Sequence, residues 1–304
     1  MTQNFFSNGK LLITGEYVVL DGARALAVPT KFGQSLEIQP GQKGIFSWKA
    51  LDREQKTWFE TRLSFDGENF TPENSNPGDQ EKKLLLLFSE AYKMNPKVFK
   101  DHGYQFTTRL YFPQNWGLGS SSTFINNFAQ WAEIDPYLLL ERTFGGSGYD
   151  IAAANTDNPF TYQLTKEGRS VLVSTFDPGF KDELFFVHLN QKQNSRNSVS
   201  HYRQQPKELL EETVLKISAV THSIINSNSL AEFELFLEVH ETLISKIINI
   251  PKIKSTKFPD FTGGIKSLGG WGGDFILATG KDEEKEYFRK RGYSTILSYT
   301  EMVK

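Results

Sequence analysis

The 304-residue sequence contains no cysteine. That excludes disulfides, thiolate nucleophiles, cysteine-ligated zinc and iron–sulfur clusters at once. It also lacks a long hydrophobic run. The longest unbroken aliphatic-aromatic stretch is Leu84–Phe88, whereas a membrane span needs about 20 apolar residues. Neither charge is in excess: 34 Lys and Arg against 36 Asp and Glu leave a net −2. Such a chain has no electrostatic footprint for nucleic acid or for an anionic membrane. The histidines (His102, His188, His201, His222 and His240) form no HxxxH pair, the spacing that turns two imidazoles toward one zinc ion. The N-terminal MTQNFFSNGKLLITGEYVVL has one lysine, and Glu16 interrupts its apolar part. That is a poor signal peptide, so a cytoplasmic location is expected. With 24 Gly and 12 Pro, near average usage, the chain is not collagenous or of low complexity.

The first half of what is present reads as strands. Lys10–Leu20 is apolar, and Gln34–Ile38, Gly44–Trp48, Lys56–Ser64 and Gln105–Phe112 alternate β-branched or aromatic residues with polar ones. Asp21-Gly22, Pro40-Gly41 and Asp66-Gly67 supply turns. Helical spacing follows at Glu81–Lys93 and Ser121–Glu133. Asp135-Pro136 pairs an N-cap with Pro at the first helical position, opening a helix at Tyr137–Thr143, and Tyr149–Asn155 is a short Ala-rich helix. Residues 176–183 (FDPGFKDE) read as a connection. Beyond it come a strand at Leu184–Asn190, helices at about Pro206–Asn226 and Leu230–Ile248, a strand at Phe275–Thr279, a helix at Asp282–Arg291 and a strand at Ser294–Tyr299. Strands and helices mix without regular alternation, so the expected class is α+β in two domains, residues 1–180 and 181–304.

Four glycine-bearing segments stand out. In Gly9-Lys10-Leu-Leu-Ile-Thr-Gly15-Glu16-Tyr17, an acidic residue interrupts an apolar run, so Glu16 must be paired or face a polar site. In Pro113-Gln-Asn-Trp-Gly117-Leu118-Gly119-Ser120-Ser121-Ser122, glycines let backbone curl round an anion just before a helix whose first amides point at it. The plainer alternative is that Ser120–Ser122 only cap the helix. A dinucleotide fingerprint fails because Ser122 stands where its third glycine belongs, and GxxxxGK[ST] is absent. The protein-kinase HRD and DFG triplets are absent too. The third segment, Lys266-Ser-Leu-Gly269-Gly270-Trp271-Gly272-Gly273-Asp274, sets four glycines round one tryptophan. Such a loop usually serves close backbone approach to a ligand or to another strand, a flexible connector being the plainer alternative. The fourth, Ser147-Gly148-Tyr149-Asp150, places an acid at a helix start, where the helix dipole alone would favour it.

Taken together and in order, these segments resemble the GHMP kinase superfamily of galactokinase, homoserine kinase, mevalonate kinase and phosphomevalonate kinase. That family's first motif looks like PGKxxLxGExxV, and here it reads GKLLITGEYVVL with Asn8 in place of the proline. Its PxxxGLGSS is similar to Pro113–Ser121, its KxxGAGGGG to Lys266–Gly273 with Gly270-Trp271 for Ala-Gly, and its SGxD to Ser147–Asp150. The likeness spans residues 9–274. TGEYVVLDG, GSGYDIAAA and GGWGGD resemble the mevalonate-pathway branch rather than galactokinases.

The resemblance implies a ribosomal protein S5 domain 2-like N-terminal domain and a ferredoxin-like C-terminal domain. It implies ATP and Mg²⁺ as cofactors and a small-molecule acceptor, with phosphomevalonate preferred to mevalonate. No nucleic acid or membrane partner is implied, and the assembly would be a monomer or homodimer. Gly117, Leu118, Gly119, Ser120, Ser121 and Ser122 would cradle the ATP phosphates, and Ser121 with Glu141 would ligate Mg²⁺. Asp150 would be the base and Lys10 its cationic partner. Lys266 with Gly269, Gly270, Gly272 and Gly273 would close on the transferred phosphoryl group. Arg196 is a further candidate cation for a phosphorylated acceptor. The alternatives within this resemblance are a sugar or homoserine kinase, an ATP-dependent diphosphomevalonate decarboxylase, or a non-catalytic ligand sensor on the same fold.

Overall fold

A computed structural model describes residues 1–100, 102–193 and 195–304, the side chains of Ser195 and Arg196 excepted, so the expectation for Arg196 lies outside the described residues. The chain opens with strand β1 (Gln3–Leu12) and the long strand β2 (Ala25–Pro40). Strands β3 (Ile45–Leu51), β4 (Thr57–Phe65) and β5 (Phe70–Pro72), helix α1 (Asp79–Met94) and strand β6 (Tyr104–Leu110) follow. Helices α2 (Ser120–Ala132), α3 (Pro136–Thr143) and α4 (Tyr149–Ala154) lead to a hairpin of β7 (Phe160–Thr165) and β8 (Gly168–Val173). Then come β9 (Leu184–His188), α5 (Ser195–Arg203), α6 (Leu210–Ile225), α7 (Leu230–Ile248) and α8 (Ile253–Lys257). Strands β10 (Ile265–Leu268) and β11 (Phe275–Thr279), helix α9 (Asp282–Lys290), strand β12 (Ile296–Ser298) and helix α10 (Tyr299–Met302) complete the chain. Among the described residues no helix is long and apolar enough to cross a membrane.

Two compact units form. The first comprises residues 1–9, 32–114 and 118–155. Its strands run in the order β5-β4-β3-β6-β2, with β3 and β6 parallel and the other pairs antiparallel. Alternation turns Phe46, Trp48 and Ala50 of β3 and Phe106 of β6 to one face, and α1 and α2 cover it with Leu84, Phe88, Ile125, Phe128 and Trp131. The packing is largely aromatic: the Phe106 ring lies 4.8 Å from Trp131 and 5.1 Å from Trp48, centroid to centroid. Each such ring buries about 150–250 Å², which makes this cluster the main apolar contribution to the unit.

A polar seam fixes α2 along its axis. The Ser7 hydroxyl donates to Asn127 (2.7 Å), Asn127 donates to the Gln34 carbonyl (2.9 Å), and the Thr123 hydroxyl donates to the Gln34 side chain (2.7 Å). Asn126 and Asn155 exchange two amide hydrogen bonds, at 3.0 and 2.7 Å, and tie the end of α4 to α2. Buried polar bonds of this kind are directional and set register, where apolar contacts alone permit sliding.

The second unit comprises residues 10–31, 115–117 and 156–304. Its four-stranded sheet has the order β10-β11-β9-β12 and is antiparallel throughout. Strand, helices, two strands, helix, strand with β9 beside β11 is the split βαβ arrangement, which is the ferredoxin-like pattern implied for the C-terminal part. Residues Ala25–Ala27 of β2 pair with β7, and β7 pairs with β8.

The expectation of one strand over Lys10–Leu20 is corrected. The strand stops at Leu12, and Val18–Asp21 forms a 3-10 turn. Gly15 at φ +89° and Tyr17 at φ +65° break the extended run. A tyrosine at positive φ is a genuine outlier, and its hydroxyl is held by the backbone of Trp271.

Candidate active site

In the second glycine motif, Gly117 (φ +66°) and Gly119 (φ +87°) curl the backbone around buried Leu118, and α2 begins at Ser120. Gly119 is the N-cap and, having no side chain, makes no cap hydrogen bond of its own. The Ser122 hydroxyl turns back to the Gly119 carbonyl at 2.9 Å, so Ser122 does not cap the helix's leading amides. A glycine N-cap after a tight glycine curl leaves N–H groups and the helix dipole for an anion. Ser121 is exposed there and Ser120 is half-buried.

Asp150 is the second residue of α4, half-buried, with one carboxylate oxygen accepting from the Ile151 N–H at 3.1 Å. Glu141 lies exposed on α3, whose Asp135 side chain caps the Tyr137 N–H at 2.8 Å as the Asp-Pro signal required.

The remaining expected residues belong to the second unit. Lys10 donates from Nζ to the Gly117 carbonyl at 3.2 Å. The third glycine loop is gripped from one side by the segment before α5. Gln191 donates to the Gly272 carbonyl at 2.6 Å, and a Cβ at Gly273 would fall 1.6 Å from the Gln193 side chain. Any side chain there would have to displace Gln193. On the other side the Trp271 N–H donates to the Tyr17 hydroxyl at 2.9 Å, and its indole N–H donates to the Pro251 carbonyl at 3.1 Å. Burial pushes the Tyr17 hydroxyl up to about 12, so it stays protonated. A cavity of about 200 Å³ opens beside this loop, lined by Tyr17, Gln193, Asn197, Ser198, His201 and Trp271.

Lys266, at the base of the loop, faces inward. Its ammonium is fully buried, 2.5 Å from Glu16 Oε1 and 3.2 Å from Glu241 Oε1. This is the partner that an acidic residue in an apolar run demanded. His240 completes the group. Its Nε2 accepts from the Gly15 N–H at 2.9 Å, and burial together with the Lys266 charge pushes its pKa well down. It is therefore neutral, and its 3.5 Å approach to Glu16 is a contact without charge. Two carboxylates share one ammonium, and burial outweighs the attraction of Lys266 to raise Glu16 to about 7. Desolvation opposes the Lys266 charge, but the two carboxylates outweigh it and hold its pKa up.

The raised Glu16 pKa has a thermodynamic sign. The folded chain holds a proton that the unfolded chain releases near 4.5, so this group's contribution is full below that pH and is lost as pH rises through about 7. Urea midpoints at about pH 5 and about pH 8 should show a fall that Glu16→Gln diminishes. An identical pH dependence in the variant would place the proton elsewhere.

Sequence reasoning missed three participants. Glu241 and His240 looked like ordinary polar positions of α7, and only their burial reveals them. Asp274 looked like the tail of the glycine segment, yet it is buried against Gly117. Its one available signal was an acid directly before the apolar strand β11.

No protein-family model matches the chain. No curated protein matches it in sequence either. Solved structures do. A mevalonate kinase from Methanococcus jannaschii is similar with a TM-score of 0.67 at 16% identity, covering 98% of this chain and 97% of that one. Streptococcus pneumoniae phosphomevalonate kinase in complex with phosphomevalonate and AMPPNP gives a TM-score of 0.69 at 15% identity, over 97% of this chain and 99% of that one. A Lin0012 protein from Listeria innocua gives 0.72 at 15% identity, over 98% and 97%. The chain thus has, over nearly its whole length, the α+β fold of the mevalonate and phosphomevalonate kinases that its motifs resemble.

Proposed function

We propose that this chain is a GHMP-superfamily kinase that transfers the γ-phosphoryl group of ATP to a mevalonate-pathway acceptor, phosphomevalonate or mevalonate. The observation that carries the reading is the glycine N-cap of α2 at the end of the Gly117–Gly119 curl, on a fold shared with such kinases. In this reading residues 1–180 hold the nucleotide and 181–304 complete the enzyme.

The amides at Ser120–Ser122 would bind the ATP phosphates. Phosphoryl transfer needs positioning and charge neutralisation more than covalent assistance. The Asp150 carboxylate would take the proton of the acceptor's nucleophilic oxygen as that oxygen forms its bond to the γ-phosphorus. The bond to the β-phosphate oxygen breaks and ADP leaves. Lys10 supplies a fixed positive charge where negative charge develops. Lys266, engaged by Glu16 and Glu241, would serve as an internal counter-ion beneath the third glycine loop.

Among the described residues no group of three or more His, Cys, Asp or Glu could hold a metal alone. A hydroxyl from Ser121 and a carboxylate from Glu141 are hard oxygen donors of the type Mg²⁺ takes when phosphates complete its shell. Bound there, the ion would neutralise phosphate charge. Glu141→Gln should raise the Mg²⁺ concentration at half-maximal activity, and an unchanged midpoint would remove Glu141 from the metal site.

The reading is tested by acceptor-dependent ADP release over mevalonate, phosphomevalonate, galactose and homoserine. Release with the first two supports it. ATP binding with no release for any alcohol would favour the sensor.

A further inference from the structure

We propose that Asp274 is a positioning residue of the transfer site, one that pins the Gly117 turn and, through that turn, the ammonium of Lys10. The inference rests on the kinase reading above. Asp274 follows the third glycine loop and is almost wholly buried. Its main-chain carbonyl accepts from the Leu189 N–H at 2.9 Å, and Oδ1 accepts from the Gln193 N–H at 2.9 Å. Those bonds aim the other carboxylate oxygen at two glycines from different motifs. A Cβ on Gly117 would sit 2.3 Å from Oδ2, and one on Gly269 would sit 3.0 Å from it. Gly117 is therefore required by its left-handed backbone and again by the carboxylate lying against its Cα.

The carbonyl of that same Gly117 accepts the hydrogen bond from Lys10. One buried acid thus lies against glycines of the second and third motifs, and the carbonyl of the first of these glycines holds the lysine of the first motif. Lys10 of β1, Lys192 of the segment before α5 and His188 of β9 are near enough for their charge to favour its ionised form. Burial raises its carboxyl above the usual range, and those three groups together with the Gln193 N–H act against that rise. An anion held this way keeps a nearby ammonium protonated. Asparagine at the same position would keep the shape and an acceptor for Gln193 but remove the charge.

The test reads Lys10 directly, without nucleotide or turnover. The lysine Cε resonances are titrated by NMR in the wild type, in Asp274→Asn and in Gly117→Ala, with Lys10 assigned through Lys10→Arg. Asp274→Asn is expected to lower the Lys10 titration midpoint by about one pH unit, a typical effect of losing a close opposite charge. The alkaline limb of kcat should move down with it, while KM for ATP changes little. Gly117→Ala, which displaces the carboxylate from the opposite side, should shift Lys10 the same way and keeps the test open if the first variant does not fold. An unmoved Lys10 midpoint in a folded variant overturns the proposal, whatever happens to activity. A shifted midpoint in a chain without transferase activity would uphold the link from Asp274 through Gly117 to Lys10 and overturn the kinase reading instead.

Discussion

Lys266→Met is expected to destabilise the protein by about 3–5 kcal/mol, the cost of removing one partner from a buried ion pair. The methionine approximates the volume of the lysine stem, so little of this loss is cavity. What remains is Glu16 and Glu241, both fully buried, facing each other with no cation. The contrast with a surface pair decides the scale. Lys216 and Glu212 are joined one turn apart on α6 with both side chains more than half exposed, and such pairs contribute about 0.3–0.5 kcal/mol. The penalty should shrink at low pH, where the stranded carboxylates take up protons. The triple variant Lys266→Met, Glu16→Gln, Glu241→Gln should recover much of it, since no buried charge is left over. Urea denaturation decides the matter: a Lys266→Met midpoint close to wild type at neutral pH would mean that the cluster is not a charge-balanced unit.

Asp150→Asn is expected to lower kcat by roughly 10²–10⁴-fold, the usual contribution of a positioned acid–base group. ATP affinity and thermal stability should stay near wild type. The substitution is close to isosteric, and the amide oxygen can still accept from the Ile151 N–H. Helix α4 is also held to α2 through Asn155 and Asn126, whose paired amide bonds the substitution leaves in place. Steady-state kinetics with saturating ATP, alongside a melting curve, separate the two roles. Near-wild-type turnover in the folded variant would reduce Asp150 to an acid favoured by a helix dipole.

Much of this arrangement was legible because it is local. Helix α7 matches its hydrophobic spacing residue for residue over Leu230–Ile248, and Asp135-Pro136 marks the start of α3 through a cap that a few adjacent residues build. The glycine curl before α2 is local too, and its order relative to the other motifs suggested the fold that the structure has.

The misses are non-local or concern residues in which two demands compete. Val, Val and Leu at positions 18–20 favour a strand, but the chain turns at Tyr17 because its hydroxyl must reach the backbone of Trp271, more than two hundred residues away. Strand β10 lies hidden inside a glycine-rich segment, since Ile265–Leu268 is too short to show alternation and is defined by pairing with β11. Helix α5 has a largely polar sequence, and what orders it is contact: the His201 ring bonds the Ile248 carbonyl at 2.8 Å, and the Tyr202 hydroxyl donates to Asp21 at 2.5 Å. Glu16 announced that it needed a partner, but nothing in the sequence said that the partner was Lys266.

The most direct test of the kinase reading is ³¹P NMR of the purified protein with ATP, Mg²⁺ and phosphomevalonate. The account predicts loss of the ATP γ-resonance, growth of ADP, and conversion of the acceptor's monoester signal to a pair of diphosphate resonances, all abolished or strongly slowed in Asp150→Asn. Conversion of mevalonate to a monoester, with phosphomevalonate untouched, would keep the kinase and change its acceptor. Spectra unchanged with both acceptors, in a folded protein that binds ATP, would contradict the account.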